Sequence, residues 1–209
     1  DVNILESGLF FRLDASNVLE KNIASVIMPI GIDHKDFLKE GTIDEIVYEK
    51  CSHLLEESKI VISEQKNDVL DKIKKNISRN SSEKIIFGEN YNYKKNTNGF
   101  VYTDKTGKIN LPLPNLLGDF QISNVSTAIA AARNLVQFKI TEQHIKKAIT
   151  KIKSEGRLQA ITKGRLRECV AENNQILIDG AHNSLAASAI SEYLETLDGE
   201  RKIFMVLGM

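Results

Sequence analysis

The chain has 209 residues with 28 basic and 28 acidic side chains, so its formal net charge at neutral pH is zero. This balance argues against a broad electrostatic surface for nucleic acid or an anionic membrane, and we expect small-molecule partners instead. The longest apolar run, residues 23–32, is about half the length of a membrane-spanning helix and contains a proline and a glycine. Cys51 and Cys169 lack metal-ligand spacing, and no signal-type segment is evident, so a cytoplasmic location is expected.

In the first part of the chain, short apolar runs alternate with amphipathic segments. Thr42, with Glu45 three residues later, has the spacing of a capping box at the start of a helix. The apolar runs between turn signals are typical of buried strands. The predicted strands lie at residues 2–5, 24–30, 59–62 and 84–87, and the predicted helices at residues 42–55 and 67–77. This β-α-β alternation predicts a mostly parallel sheet.

The pattern changes in the middle of the chain. Residues 100–103 and 108–111 flank the turn Asp104-Lys105-Thr106-Gly107, which predicts a hairpin at the edge of the sheet. Two helices are predicted next, at residues 122–136 and 141–152, from their apolar spacing.

A domain boundary is predicted at Ser154-Glu155-Gly156, where the helical pattern stops. Residues 1–153 would then form a central domain, and residues 154–209 would be the beginning of a second one. The elements predicted in this second part are strands at residues 158–170, 176–178 and 202–207 and a helix at residues 185–197. We expect marginal stability beyond about Gly156, because a small incomplete domain buries too little surface.

The most informative segment is Asp179-Gly180-Ala181-His182-Asn183. It follows the apolar run Gln175-Ile176-Leu177-Ile178 and precedes the last predicted helix. Its polar groups therefore stand at the carboxyl end of a strand, where α/β sheets bind ligands. The alternative is that Asp179 and Asn183 only cap the helix, and one residue can do both.

Glu6 and His34 each follow a predicted strand. If those two strands are neighbours in a parallel sheet, a carboxylate and an imidazole emerge at one edge, where they would suit Mg²⁺. The alternative for each is an ordinary polar residue at a strand end.

Six motifs in a fixed order carry a resemblance to a known family. In chain order they are Glu6 to Asn17 (E-S-G-L-F-F-R-L-D-A-S-N), Ile30 to His34 (I-G-I-D-H), Tyr48-Glu49-Lys50, Gly118 to Asn124 (G-D-F-Q-I-S-N), Gly156-Arg157-Leu158-Gln159 and Asp179 to Asn183 (D-G-A-H-N). With these motifs the chain resembles the folylpolyglutamate synthase and dihydrofolate synthase family, within the Mur-ligase-like ATP-dependent amide ligases. The R-L-D-A-[ST]-N segment separates the folate branch from the cell-wall ligases.

The resemblance implies both a fold and a reaction. The fold class is α/β: part of a mostly parallel P-loop-type sheet domain, like the Mur ligase central domain, and then the start of a smaller Rossmann-like α/β domain. The reaction is transfer of a phosphoryl group from ATP to the carboxylate of a pteroate or folate, followed by attack of the L-glutamate amine on the acyl phosphate. ATP, Mg²⁺, the pteroate or folate and L-glutamate are thus the expected ligands, and a monomer is the expected state.

The resemblance also implies roles for individual residues. Glu6 and His34 would hold Mg²⁺ together with Lys50, which the family modifies with CO₂ to a carbamate. An ammonium group cannot bind a metal ion, whereas a carbamate is an anionic oxygen donor; the alternative is that Lys50 is a solvated surface lysine. Lys50, Arg157 and His182 would be the catalytic residues. The remaining implied roles are Leu13, Asp14 and Ala15 at the pterin, Asn124 at the adenine, Arg157 at the phosphates, Asp179 at the ribose and His182 near the γ-phosphate and the incoming glutamate.

Two departures limit the resemblance. Phe10-Phe11 stands where the family has a glycine pair, which would reshape or disable the pterin site. No G-x-x-x-x-G-K-[ST] phosphate loop occurs in the sequence, so we expect negligible ligase activity from this chain alone. Two hypotheses follow: a segment of an active ligase whose phosphate loop lies elsewhere, in a separate chain or upstream, or a non-catalytic remnant or binding module.

Overall fold

The computed structural model describes residues 2–197, 199 and 201–208. Its centre is a parallel three-stranded sheet in the order β1-β2-β3, which confirms the predicted α/β class. The two crossovers run through helices that pack against each other. The bounds of these elements are β1 Ala24–Ile27, α1 Ile43–Cys51, β2 Lys59–Ile62, α2 Asn67–Asn76 and β3 Glu83–Ile86.

The central strand β2 shows why this part of the sequence folds as predicted. Ile60, Val61 and Ile62 are all fully buried, as expected for a β-branched run that is covered on both faces. Because side chains alternate along a strand, Ile60 and Ile62 pack in the core with α1 and α2, and Val61 packs in a second core on the opposite face. The predicted capping box is present: the Thr42 hydroxyl accepts from the Glu45 N–H at 3.3 Å.

A second sheet, antiparallel and also three-stranded, covers the other face together with two helices. Its strands are β4 Tyr91–Asn96, β5 Gly99–Asp104 and β6 Gly107–Leu111, and the helices are α3 Phe120–Arg133 and α4 Glu142–Lys151. The predicted hairpin is β5 and β6, but the prediction missed β4. That strand is mostly polar and exposed, and only Tyr91 in it is buried, so its sequence has no apolar alternation to reveal it.

The C-terminal part contains β7 Gln159–Ala160, the short helix α5 Arg165–Glu168, β8 Leu177–Ile178 and α6 Ser184–Glu195. The predicted strand at residues 176–178 and helix at residues 185–197 are present as β8 and α6. The strand predicted at residues 202–207 is wrong, since those residues are not in a strand, and β8 pairs antiparallel with β7. Residues 158–170 likewise contain only two strand residues.

The strand predicted at residues 2–5 is also absent from the described chain. In both of these terminal segments the apolar side chains are largely exposed, and neither segment pairs with another strand among the described residues. The domain boundary at residues 154–156 stays a prediction. None of the helices among the described residues is both long enough and apolar enough to cross a membrane.

Candidate functional site

Two loops from distant parts of the chain meet at one place. The first follows β1 and contains Asp33 and His34, and the second follows β8 and contains His182 and Asn183. The Asn183 side-chain amide donates to Asp33 Oδ2 at 2.8 Å, across 150 residues of sequence. The contact is supported by close packing, since a Cβ on Gly31 would stand 3.2 Å from Leu185 at the start of α6.

Asn183 caps α6, as one of the two sequence alternatives predicts, and it also contacts Asp33. Its side-chain oxygen accepts from the Ala186 N–H at 2.9 Å and so caps α6, while its amide nitrogen binds Asp33. The cap therefore also ties the first turn of α6 to the loop after β1.

Asp33, His34 and His182 form a compact group of metal-binding side-chain types. One ligand atom from each lies within 4.8 Å of the others. Burial acts to raise the pKa of Asp33, but hydrogen bonds from Asn183 and the His34 N–H, with the two imidazoles, bring that pKa below its ordinary value. His34 adopts a left-handed backbone conformation with φ 50°, and such strain in a residue other than glycine is often found at functional sites.

Lys50 lies in the last turn of α1 and is half-buried. Its Nζ donates to the Leu9 carbonyl at 3.3 Å and stands 5.5 Å from the centre of the Phe10 ring. Burial lowers the pKa of Lys50, while Asp33 and Cys51 act in the opposite direction. The alternative of an ordinary solvated surface lysine does not describe this environment.

The Phe10-Phe11 pair is accommodated without a special backbone. Neither residue is among the described non-glycine residues with positive φ. Phe10 is 9% exposed and packs in the core with Ile46 and Val47, and its ring meets the edge of the His34 ring at 6.2 Å between centroids. The Phe10 ring therefore lies against both Lys50 and His34 and forms an apolar wall of this site.

The loop that carries Leu13, Asp14 and Ala15 is held in place on both sides. Arg12 forms a bidentate ion pair with Glu49 at 2.8 to 3.0 Å and lies over the Tyr48 ring. The Asp14 carboxylate accepts hydrogen bonds from its own loop, and those from the Ser16 hydroxyl, the Ser16 N–H and the Gly8 N–H lower its pKa. Leu13 and Ala15 are exposed, so their side chains face solvent on an ordered turn.

Arg157 and Asp179 lie together at the base of the second loop. Asp179 Oδ2 accepts from the Leu158 N–H at 2.7 Å, and the Gly180 N–H donates to the Gly156 carbonyl at 2.8 Å. A Cβ on Gly180 would lie 3.0 Å from Arg157 Nη1, so the glycine gives the guanidinium room at this position. The G-R-L-Q and D-G-A-H-N motifs are thus one structural unit.

Glu6 and Asn124 are not members of the Asp33, His34 and His182 group. Glu6 is exposed, and within the described part of the chain no hydrogen bond or ion pair holds its carboxylate. The Asn124 amide donates to Gln121 within α3 at 3.1 Å. Conversely, sequence analysis did not select Asp33 as a site residue, although it stands inside the I-G-I-D-H motif directly before His34.

The parallel sheet and its helical crossovers are those of the Mur ligase middle-domain fold. The family model for the Mur ligase middle domain matches residues 5–132, and the chain belongs to that family.

Within that class the similarity is to the folate enzymes. The chain is 32% identical to the dihydrofolate synthase/folylpolyglutamate synthase of Haemophilus influenzae, a match covering 100% of this chain and 48% of that protein. Among solved structures it is similar to Escherichia coli FolC in complex with DHPP and ADP, with a TM-score of 0.77, 26% identity and coverage of 94% of this chain and 43% of that one. An FPGS-AMPPCP-folate complex shares the fold, with a TM-score of 0.79, 24% identity and coverage of 94% and 47%. The chain thus spans about half the length of the curated relatives it matches.

Proposed function

We propose that the full gene product containing this chain ligates L-glutamate to the carboxylate of a dihydropteroate or folate, using ATP and an acyl phosphate intermediate. The observation that carries the proposal is the convergence of His34, Lys50 and the Asp179 to Asn183 turn around Asp33, in a chain similar to dihydrofolate and folylpolyglutamate synthases. A site built from two distant loops can enclose an acyl phosphate and exclude water.

Nucleotide binding is supported by the relatives and by the second loop. Escherichia coli FolC binds ADP, and the FPGS complex contains AMPPCP, an analogue of ATP. In this chain we assign the ribose to Asp179, the phosphates to Arg157 and the adenine to Asn124. The guanidinium of Arg157 suits phosphate because its charge is permanent and its donors form a planar fork. His182 would face the γ-phosphate and the incoming glutamate.

The environment of Lys50 suits the proposed carbamate. Only the neutral amine reacts with CO₂, and burial favours the neutral amine by lowering the Lys50 pKa. His34, whose ring also contacts Phe10, would provide an imidazole for the same ion. Glu6, the third proposed ligand, lies on the exposed segment before the pterin loop. Bound to these three residues, Mg²⁺ would neutralise charge on the phosphoryl group in transit.

Leu13, Asp14 and Ala15 are proposed to bind the pterin. Asp14 is fixed by its hydrogen bonds to Gly8 and Ser16, and the loop is anchored through the Arg12 ion pair with Glu49. A pre-ordered loop binds its ligand without the entropy cost of ordering.

The proposal is tested by glutamate incorporation with the full gene product. Labelled L-glutamate, ATP and Mg²⁺ are supplied with dihydropteroate or folate, and wild type is compared with Lys50→Ala. Loss of an anionic group that positions charge at the reacting phosphate is expected to lower kcat by about 100-fold or more. Lys75→Ala is the control, because Lys75 is an exposed lysine in the last turn of α2.

A small carboxylic acid provides a second readout. Formate or acetate can replace the missing carbamate oxygens in Lys50→Ala, so added acid should restore part of the activity to this variant and none to wild type. Binding of ATP and folate without glutamate incorporation by the wild-type protein would favour the alternative function, a non-catalytic binding module.

A further inference from the structure

The Asp33, His34 and His182 group has a geometry that the proposed ligase chemistry does not use as a unit. The Nε2 atoms of His34 and His182 lie 3.6 and 3.5 Å from the same Asp33 Oδ2 atom. We propose that these three side chains form a binding site for a zinc-type divalent cation, one that takes nitrogen and oxygen ligands. The proposed magnesium ligands are a different set, Glu6, His34 and Lys50, and share only His34 with it.

The separations fit a shared cation better than hydrogen bonds. A hydrogen bond from an imidazole to a carboxylate is usually about 2.7 to 2.9 Å long, and a contact of about 3.6 Å is too long to be one. Two ligands that are each about 2.1 Å from a tetrahedral Zn²⁺ are about 3.4 Å apart. The two observed N to O distances are close to that tetrahedral edge.

The hydrogen bond on the far side of the His182 ring points to the same conclusion. His182 Nδ1 lies 2.9 Å from the Gly180 carbonyl, and since a carbonyl only accepts, Nδ1 must donate. Nδ1 is thus engaged on the far side of the ring, and Nε2, the nitrogen nearest Asp33 Oδ2, is the one available to a metal ion. An imidazole oriented by a backbone carbonyl is the usual arrangement of a histidine that binds zinc.

Asp33 is also held in a position that suits a ligand. Its Oδ1 accepts from the His34 N–H at 2.8 Å, and its Oδ2 accepts from the Asn183 amide at 2.8 Å. Each carboxylate oxygen has two lone pairs, so Oδ2 retains one for a metal ion. Supporting hydrogen bonds of this kind fix the direction of a carboxylate ligand.

The ligand types select the metal. Two imidazoles with one carboxylate suit Zn²⁺ and Co²⁺, whereas Mg²⁺ prefers oxygen ligands and keeps several waters. Three protein ligands leave a fourth tetrahedral position for water or a substrate oxygen. The ion would join the loop after β1 to the turn after β8, and, if the proposed function holds, it would inhibit ligation by withdrawing His34 and His182 from their roles.

Direct binding tests the site without reference to ligation. The untagged full gene product carrying Cys169→Ser, which removes an exposed thiol that could itself bind zinc, is titrated with ZnCl₂ in a calorimeter. One Zn²⁺ per chain is expected, and excess Mg²⁺ should not displace it. Zinc affinity should fall by about 100-fold or more in each of the variants His182→Ala, His34→Ala and Asp33→Ala. Loss of a partner that only supports a ligand already lowers metal affinity by about 10 to 100-fold.

The other two histidines provide matched controls. His53 and His144 are both exposed and lie outside the group, so His53→Ala and His144→Ala should bind Zn²⁺ as the parent does. Co²⁺ should give the intense visible absorption of a tetrahedral site in the parent and the two control variants, and a weak octahedral spectrum in His182→Ala. Circular dichroism checks that each variant is folded.

Equal zinc affinity in the parent, His34→Ala and His182→Ala would overturn the site, as would the absence of binding to the parent. Neither result would bear on glutamate incorporation, which is measured with Mg²⁺ and without zinc. Conversely, a protein inactive as a ligase can still bind Zn²⁺ at these residues, so the two proposals fail separately.

Discussion

At the scale of single residues, Phe10 shows how a substitution that is surprising in sequence is explained by packing. Large rings replace glycines of the resembled family at positions 10 and 11, yet Phe10 is buried against Ile46 and Val47 with ordinary backbone geometry. Its ring also contacts His34 and lies beneath the Lys50 ammonium. The substitution therefore changes the wall of the site, and the lysine beside it remains half-buried.

Burial also separates the two cysteines in reactivity. Burial raises the pKa of Cys51 to about 12, while the charge of Lys50 acts to lower it, and Cys169 is exposed. Since the thiolate is the reactive form, we expect one thiol per chain to react with Ellman's reagent at pH 8, and both to react in denaturant. Cys169→Ser should leave no rapidly reacting thiol in the native protein. Rapid reaction of two thiols in the native wild type would contradict this prediction.

At the scale of elements, the antiparallel sheet is attached to α3 through one shielded ion pair. Arg133 Nε, in the last turn of α3, donates to Asp104 Oδ2 at 2.7 Å at the end of β5, and the two side chains are 17% and 10% exposed. Burial acts to raise the Asp104 pKa, but hydrogen bonds from Thr106 and the Arg133 guanidinium lower it overall. The turn residue predicted from sequence is therefore also an anchor for the helix.

Asp104→Asn should lower the free energy of unfolding by about 2 kcal/mol at pH 7, because the arginine loses a charged partner in a shielded place. A carboxylate whose pKa is depressed in the folded state contributes stability above its unfolded pKa of about 3.9, and that contribution disappears as the pH falls through the folded pKa. In urea denaturation the difference between variant and wild type should therefore be constant from pH 7 to about pH 5 and shrink as the pH falls further, through about 3.9.

The control for that experiment is Asp119→Asn. Asp119 pairs with Lys95 at 2.6 Å, but the two side chains are 63% and 46% exposed. An exposed pair contributes about 0 to 1 kcal/mol, so its loss should have a small effect at every pH. Equal destabilisation by the two variants would show that shielding of the Asp104 pair is not the cause.

At the scale of the whole molecule, the second part of the chain is less buried than the first. Helix α6 has no buried residue, and the apolar side chains of residues 203–207 are all more than half exposed. The first part has two cores on either side of the parallel sheet. Two sets of contacts connect the two parts. Asn183 and His182 contact Asp33, and Leu185 packs against Gly31.

Limited proteolysis should therefore cut first near Ser154 to Gly156, where Ser154 and Glu155 are exposed after the end of α4. Mass spectrometry of the early products should show an intact fragment ending in this region. Hydrogen exchange provides an internal reference, because amides of α3, with eight buried residues, should be far better protected than those of α6. Equal protection of α3 and α6 would contradict the prediction.

The sequence by itself determined the local elements of the first part. Three of these elements depend on residues only a few positions apart, and all three were predicted. They are the capping box at Thr42 and Glu45, the buried strand residues Ile60 to Ile62 and helix α3. The family motifs also selected His34, Lys50 and His182 in advance, although their roles remain proposals.

Only the tertiary structure decided which residues meet. A strand exists only when a second strand completes its hydrogen bonds, so the polar β4 forms beside β5 although its sequence did not reveal it. The apolar runs at residues 2–5 and 202–207 are not strands, and within residues 158–170 only Gln159–Ala160 is one. Asp33 contacts His182 and Asn183, which are about 150 residues away in sequence. Local sequence patterns give no information about which residues so far apart come into contact. The Asp179 to Asn183 turn could be identified from sequence as polar and well placed, but its partner could not.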